Sequence, residues 1–254
     1  MRFDAHYSSS AGNFYVVTSL SGERLWLEAG VPWRRIQQAV RFDLSGVRAC
    51  CLSHAHNDHS RAAADVLRAG VPVWASKETL GLRGLLGRRG ASILRPRQWF
   101  TLSPAFGVFP FAVHHDVDGA LGFIVHDREA DESLLFVTDT SHIGERFATA
   151  FDIIAVECSY DAKLLNEMVE GGYVPELVAR RMLTSHMEQS VALRYVRDRC
   201  DLRRCREVHL LHGSETCLEP YKAAALFENH LFIRTIAAQR APKETPNAET
   251  AQGR

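Results

Sequence analysis

Short apolar runs bounded by turn residues alternate along this chain with stretches whose apolar positions recur every three or four residues. Residues 14–18 and 24–27 flank Ser19-Leu20-Ser21-Gly22 and read as a β-hairpin turning on small polar residues. Buried strands are expected at 47–52 and 71–75, and helices at 33–40, 58–69 and 77–86, the last with Ser76 as its N-cap. Farther on, 106–114, 121–126 and 134–138 read as strands separated by Asp-, Gly- and Glu-containing turns, followed by a strand at 153–157. Helices return at 162–169, 175–183, 188–199 and 219–229, with one strand, 207–212, among them. Strands accompanied by helices in both halves predict two packed sheets covered outside by helices, a single α/β sandwich. It occupies residues 1–239, and the polar, non-periodic residues 240–254 read as a disordered tail.

Composition narrows the class. With 46% hydrophobic and 24% charged residues in 254, the chain is neither disordered, collagenous nor a coiled coil. Thirty basic residues balance thirty acidic ones, so net charge gives no general case for a polyanionic partner, although it leaves room for a local basic groove. Only Lys77, Lys163, Lys222 and Lys243 are lysines. Arginine suits phosphate oxygens better, but an arginine bias also accompanies a GC-rich genome. The six cysteines form no C-x-x-C pair, which points to a reducing compartment. The N-terminus lacks a signal-peptide core, and no apolar run approaches the roughly 20 residues that span a bilayer. The expectation is a cytoplasmic protein with no membrane partner.

The densest chemistry is Ser53-His54-Ala55-His56-Asn57-Asp58-His59, directly after a strand and at the start of a helix. Imidazole and carboxylate groups are the ligands of borderline divalent metals, zinc above all. A solvated surface cluster is the alternative. Further candidates stand at the ends of apolar strands: His115-Asp116, Asp139 between Thr138 and Thr140, and His212 before Gly213. Side chains at strand ends on one rim of a sandwich can converge, whereas the same residues at strand centres could not.

The H-x-H-x-D-H segment resembles the signature of the metallo-β-lactamase superfamily, and the later histidines and aspartate stand in the order that superfamily needs. The resemblance implies an αββα four-layer sandwich holding two divalent metal ions, zinc or manganese. By it, one metal takes His54, His56 and His115, the second takes Asp58, His59 and His212, and Asp139 bridges both. The His-Asp pairing and the alternation of strand side chains favour His115 over His114. β-Lactam-cleaving members commonly carry cysteine at the bridge, so Asp139 disfavours antibiotic hydrolysis. Asp58 and His186 are the expected catalytic groups, with His186 giving a proton to the leaving alkoxide.

Outside these residues the chain resembles the WalJ (YycJ) branch, whose members are nuclease-like. The resemblance is carried by Ser8-Ser9-Ser10-Ala11-Gly12-Asn13, by residues 115–123, by Val156-Glu157-Cys158-Ser159-Tyr160-Asp161, by Ser185-His186-Met187-Glu188-Gln189 and by residues 210–215. Two departures are Glu28-Ala29-Gly30 in place of Asp-Ala-Gly and the altered sequence around His186. The implied activity is that of a phosphodiesterase on nucleic acid, a DNA exonuclease using a metal-activated water. Ser9, Ser10 and Asn13 then bind phosphate at the rim, or merely form a turn. Two arginine runs, 83–97 beside Trp99 and Phe100 and 194–206, suit a phosphate track or a solvated helix face. His142 reads as a surface histidine. The competing readings are a small-molecule hydrolase of the same fold, a cyclic phosphodiesterase or lactonase, and a non-catalytic nucleic-acid-binding module braced by metal.

Overall fold

The computed structural model describes residues 1–238; the tail expected at 240–254 lies outside them. The first half runs β1 (Arg2–Tyr7), β2 (Phe14–Thr18), β3 (Arg24–Leu27), α1 (Trp33–Ala39), β4 (Val47–Cys51), α2 (Asn57–Ser60), α3 (Ala63–Arg68), β5 (Val73–Ala75), α4 (Lys77–Leu82) and β6 (Ala91–Ile93). Its six strands pair in sequence order, antiparallel from β1 to β3 and parallel from β3 to β6. The second half runs β7 (Phe100–Thr101), β8 (Phe106–Ala112), β9 (Leu121–Asp127), β10 (Glu132–Val137), β11 (Ile153–Glu157), α5 (Ala162–Glu170), α6 (Glu176–Ser185), α7 (Gln189–Arg199), β12 (Glu207–Leu211), α8 (Pro220–Leu231) and β13 (Arg234–Ala237). The order in this sheet is 13-12-11-10-9-8-7, parallel from β10 to β13.

Strand alternation builds the layers. On β2, Tyr15 and Val17 join the core between the sheets, while Phe14 and Val16 pack with residues of α1 and α3 such as Ile36 and Val66. On β10, Leu134 and Phe136 face the same inter-sheet core, and Leu135 and Val137 face α7 and α8. Both sheets are therefore apolar on both faces, the requirement for an αββα four-layer sandwich, and the chain has that fold. Among the described residues no helix is long and apolar enough to cross a membrane.

Differences from the sequence expectation fall where local signals conflict. The helix expected at 58–69 is split into α2 and α3, because Ala62 (φ −95°, ψ 12°) leaves the helical path and its N–H bonds the Ala29 carbonyl. The helix expected at 77–86 stops at Leu82, and the strand expected at 106–114 stops at Ala112. Four strands were not expected: β1, whose half-buried alternation carries charges, the short β6 and β7, and β13.

Candidate metal centre

One rim of the sandwich collects the chemistry. The strands β3, β4, β8, β10, β11 and β12 all end there, and the residues that follow or close them are Glu28, His54, His115, Asp139, Glu157 and His212. Three of these, Glu28, Asp139 and His212, have left-handed backbones (φ 67°, 50° and 53°), a conformation that non-glycine residues rarely adopt and that turns the chain sharply out of its strand.

The structure brings all seven expected ligands together. His54, His56, His115 and Asp139 form one donor set, and Asp58, His59, Asp139 and His212 a second, each with donor atoms within 4.8 Å of one another. His56 Nδ1 lies 3.1 Å from both His54 Nε2 and His115 Nε2. Three ring nitrogens facing one point repel through their lone pairs unless a hydrogen or a cation lies among them. Asp139 is shared: its Oδ2 is 3.2 Å from His59 Nε2, 3.6 Å from His115 Nε2 and 3.7 Å from His54 Nε2, whereas its Oδ1 is 3.5 Å from His212 Nε2. Nitrogen and oxygen donors converging in this way fit divalent cations.

Surrounding groups fix which nitrogen each ring presents. Ser53 Oγ lies 2.8 Å from His54 Nδ1, and the Ser185 carbonyl accepts from His115 Nδ1 at 3.3 Å, so both rings turn Nε2 towards the cluster. Glu28 Oε1 stands 3.5 Å behind His59 Nδ1; both atoms are buried without a hydrogen-bond partner, poised for the contact that such a carboxylate makes to a ligating imidazole. Burial first, and the charge of His59 next, push the His54 pKa well down; burial also lowers His115. Both are thereby kept as neutral donors. Burial would raise Asp139 and Asp58, yet the neighbouring histidines hold both carboxylates below their ordinary range and so ionised.

His186 follows α6 directly and sets its ring parallel to that of His212, at 5.2 Å between centroids. Its Nδ1 donates to the wholly buried Glu157 Oε1 at 2.7 Å, and the other Glu157 oxygen accepts from the Thr140 amide at 2.7 Å. Burial opposes the charged ring, but the charge and hydrogen bond of Glu157 outweigh it and bring His186 to about 9. The Glu157–His186 pair is the feature the sequence reading did not assemble. Glu157 closes a strand on the same rim, and that position was the available signal.

A model of the metallo-β-lactamase superfamily matches residues 10–194, a span that carries the histidine motif, His115, Asp139 and His186. The chain belongs to the metallo-β-lactamase superfamily. Its fold is similar to that of YhfI from Bacillus subtilis, with a TM-score of 0.72, 14% identity and coverage of 94% of this chain and 97% of the other. Zinc-bound PqqB from Methylobacterium extorquens gives 0.70 at 14% identity, covering 95% and 99%. The short form of human tRNase Z gives 0.62 at 13% identity, covering 94% and 97%. Comparison with curated proteins gives no match.

In this superfamily member the loop at 54–59 is braced from behind by two of the residues expected at the substrate, Ser9 and Asn13. Asn13 is buried: its side-chain amide donates to the Asp58 carbonyl at 3.0 Å and stands 3.0 Å from His59 Nε2. Ser9 is buried as well and bonds Asn13 in both directions, while Ser8 Oγ accepts from the His212 amide. Of the expected rim residues, Ser10 lines the cavity above the cluster and Ser9 and Asn13 lie beneath it, in supporting positions. His114 and His142 stack on each other at 4.6 Å, outside both donor sets. The cavity itself holds about 490 Å³, with His56, Asp58, Asp139, His186 and His212 in its lining.

Proposed function

We propose that this chain is a hydrolase dependent on two divalent metal ions, zinc or manganese, that cleaves phosphodiester bonds in nucleic acid, DNA foremost. The observation that carries the reading is the sharing of Asp139 between two donor sets beside the Glu157–His186 pair, all at one cavity. When bound, two such ions lower the pKa of a water towards 7 and neutralise charge on phosphoryl oxygens. Asp139 then holds both sites at a fixed separation, and Asp58 completes the second. Glu157 keeps His186 protonated and aims its Nε2 into the cavity, where it gives the proton that the leaving alkoxide requires. Ser10 offers a hydroxyl to a phosphoryl oxygen at the rim. Free cysteines at all six positions accord with a reducing compartment, the cytoplasm.

The choice of DNA follows from the resemblance to the WalJ (YycJ) branch. One observation favours the small-molecule reading instead: the arginine run at 194–206 is largely paired. Arg203 bonds Asp201, Arg204 bonds Asp152, Arg206 bonds Glu132 and Arg197 bonds Asp198, leaving few free cations for a phosphate track. Labelled single- and double-stranded DNA and RNA, with Mn²⁺, Mg²⁺ or Zn²⁺ added and bis(p-nitrophenyl) phosphate in parallel, separate the two. Shortening of end-labelled DNA, with binding that weakens steeply as salt rises, is the expected result. Cleavage of the small diester alone identifies a small-molecule phosphodiesterase, and hydrolysis of neither contradicts the reading.

A further inference from the structure

Helix α6 forms one wall of the metal cavity, and its sequence explains which face it shows. Val178, Arg181 and Met182 of α6 line the cavity as one helical stripe, joined by Val174 just before the helix. That stripe is apolar except for Arg181, whose guanidinium is the one permanently cationic group among the described residues of the lining. The neighbouring Arg180 points elsewhere, pairing with Glu176 one turn back at 3.5 Å, and is no part of the lining.

Arg181 is held by a single edge. Its Nε donates to Asp116 Oδ2 at 2.9 Å, and Asp116 Oδ1 lies 3.1 Å from His115 Nε2 and 3.6 Å from His56 Nε2. One carboxylate thus ties the guanidinium to the first donor set, and the planar group has no other partner among the described residues. The side chain lines the cavity and is 60% exposed, so its terminal N–H groups stay accessible. A fork anchored through Nε is pre-organised to meet two oxygens of a phosphoryl group.

We propose that Arg181 is the anion clamp of this cavity: its fork binds non-bridging oxygens of a phosphate ester, with Asp116 as the residue that positions it. The proposal rests on the phosphodiesterase reading for its substrate class and adds a residue that grips the substrate from outside the metal ligands. The anion is held on the α6 side, so the apolar part of the ester packs against Val178 and Met182.

The test combines inorganic phosphate binding by calorimetry with hydrolysis of bis(p-nitrophenyl) phosphate, on the native protein and on R181M, R181K and R180M, with metal content and thermal midpoint checked for each. R181M keeps the apolar stem packing and removes the charge. It is expected to bind phosphate about 10- to 100-fold more weakly, the range for a lost hydrogen bond to a charged group, and to raise KM with metal content unchanged. R181K recovers part of the loss, since a lysine cannot hold Asp116 and present a fork together, and R180M behaves as the native protein. Native phosphate affinity in R181M, an equal loss in R180M, or no phosphate binding by the native protein overturns the assignment. If the native protein cleaves no diester while R181M still loses phosphate, the phosphodiesterase reading fails and the clamp stands.

Discussion

His186 shows how a side chain acquires its charge from a neighbour. Alone at the end of a helix it would be an ordinary surface imidazole; the buried Glu157 carboxylate, itself raised by burial, holds it protonated and fixed in orientation. A proton donor must carry its proton at working pH, and a group brought to about 9 carries it below that value and loses it above. We predict that H186A retains metal but slows turnover on the order of 10²–10⁴-fold, and that E157Q shifts the alkaline limb of the rate profile to lower pH. An unchanged rate in H186A would remove the ring from the reaction. The residues of the cluster were legible because histidine and aspartate crowd at strand ends and in the short turn after β4. The pairing of Glu157 with His186 and the place of Arg181 were not. Glu157 stood at a strand end like the other cluster residues, but nothing in the sequence set it opposite His186, and an arginine on a helix has no mark until the fold shows what it faces.

At the scale of elements, the loop at 54–59 is positioned by close backbone packing together with the Asn13 side chain. A Cβ on Gly30 would stand 1.6 Å from the Asp58 carbonyl oxygen and 2.7 Å from the His59 amide, both backbone atoms that cannot swing aside. The loop after β3 therefore supports the α2 turn directly, helped by the His59 carbonyl accepting from Ala29 and the Asp58 carbonyl accepting from Asn13. G30A is expected to destabilise the fold by at least about 1–3 kcal/mol, the usual cost of overpacking, and to lower metal content by displacing Asp58 and His59. A native thermal midpoint together with native metal content in G30A would show that the contact is unimportant. This approach also accounts for the broken helix at 58–69: periodicity reports one amphipathic face, but the loop pressed against its first turn diverts the chain at Ala62. The hairpin at 14–18 and 24–27 was readable to the residue, since alternation and a polar turn agree there. β1 was not, since only Phe3 of its residues is buried and Arg2, Asp4 and His6 interrupt the apolar pattern on an edge strand.

Across the whole molecule, the sandwich brings into contact segments more than 150 residues apart: His212 Nε2 and Asp58 Oδ2 are 3.3 Å apart although 154 positions separate them. Two apolar-faced sheets determine that meeting, because the same inter-sheet core that joins Tyr15 to Phe136 aligns the strand ends on one rim. The two-sheet sandwich followed from the hydrophobic pattern. The use of the arginines did not, since charge balance hides which cations are paired; Arg97, within the first run, is joined to Glu145. The most direct test of the account is the metal content of the purified protein, native and D139A, after loading and exhaustive dialysis. We predict two divalent ions per native chain, fewer in D139A, and hydrolysis lost with them. A native chain that retains no metal, or a D139A chain that retains two and full activity, would contradict the shared centre on which the proposed chemistry depends.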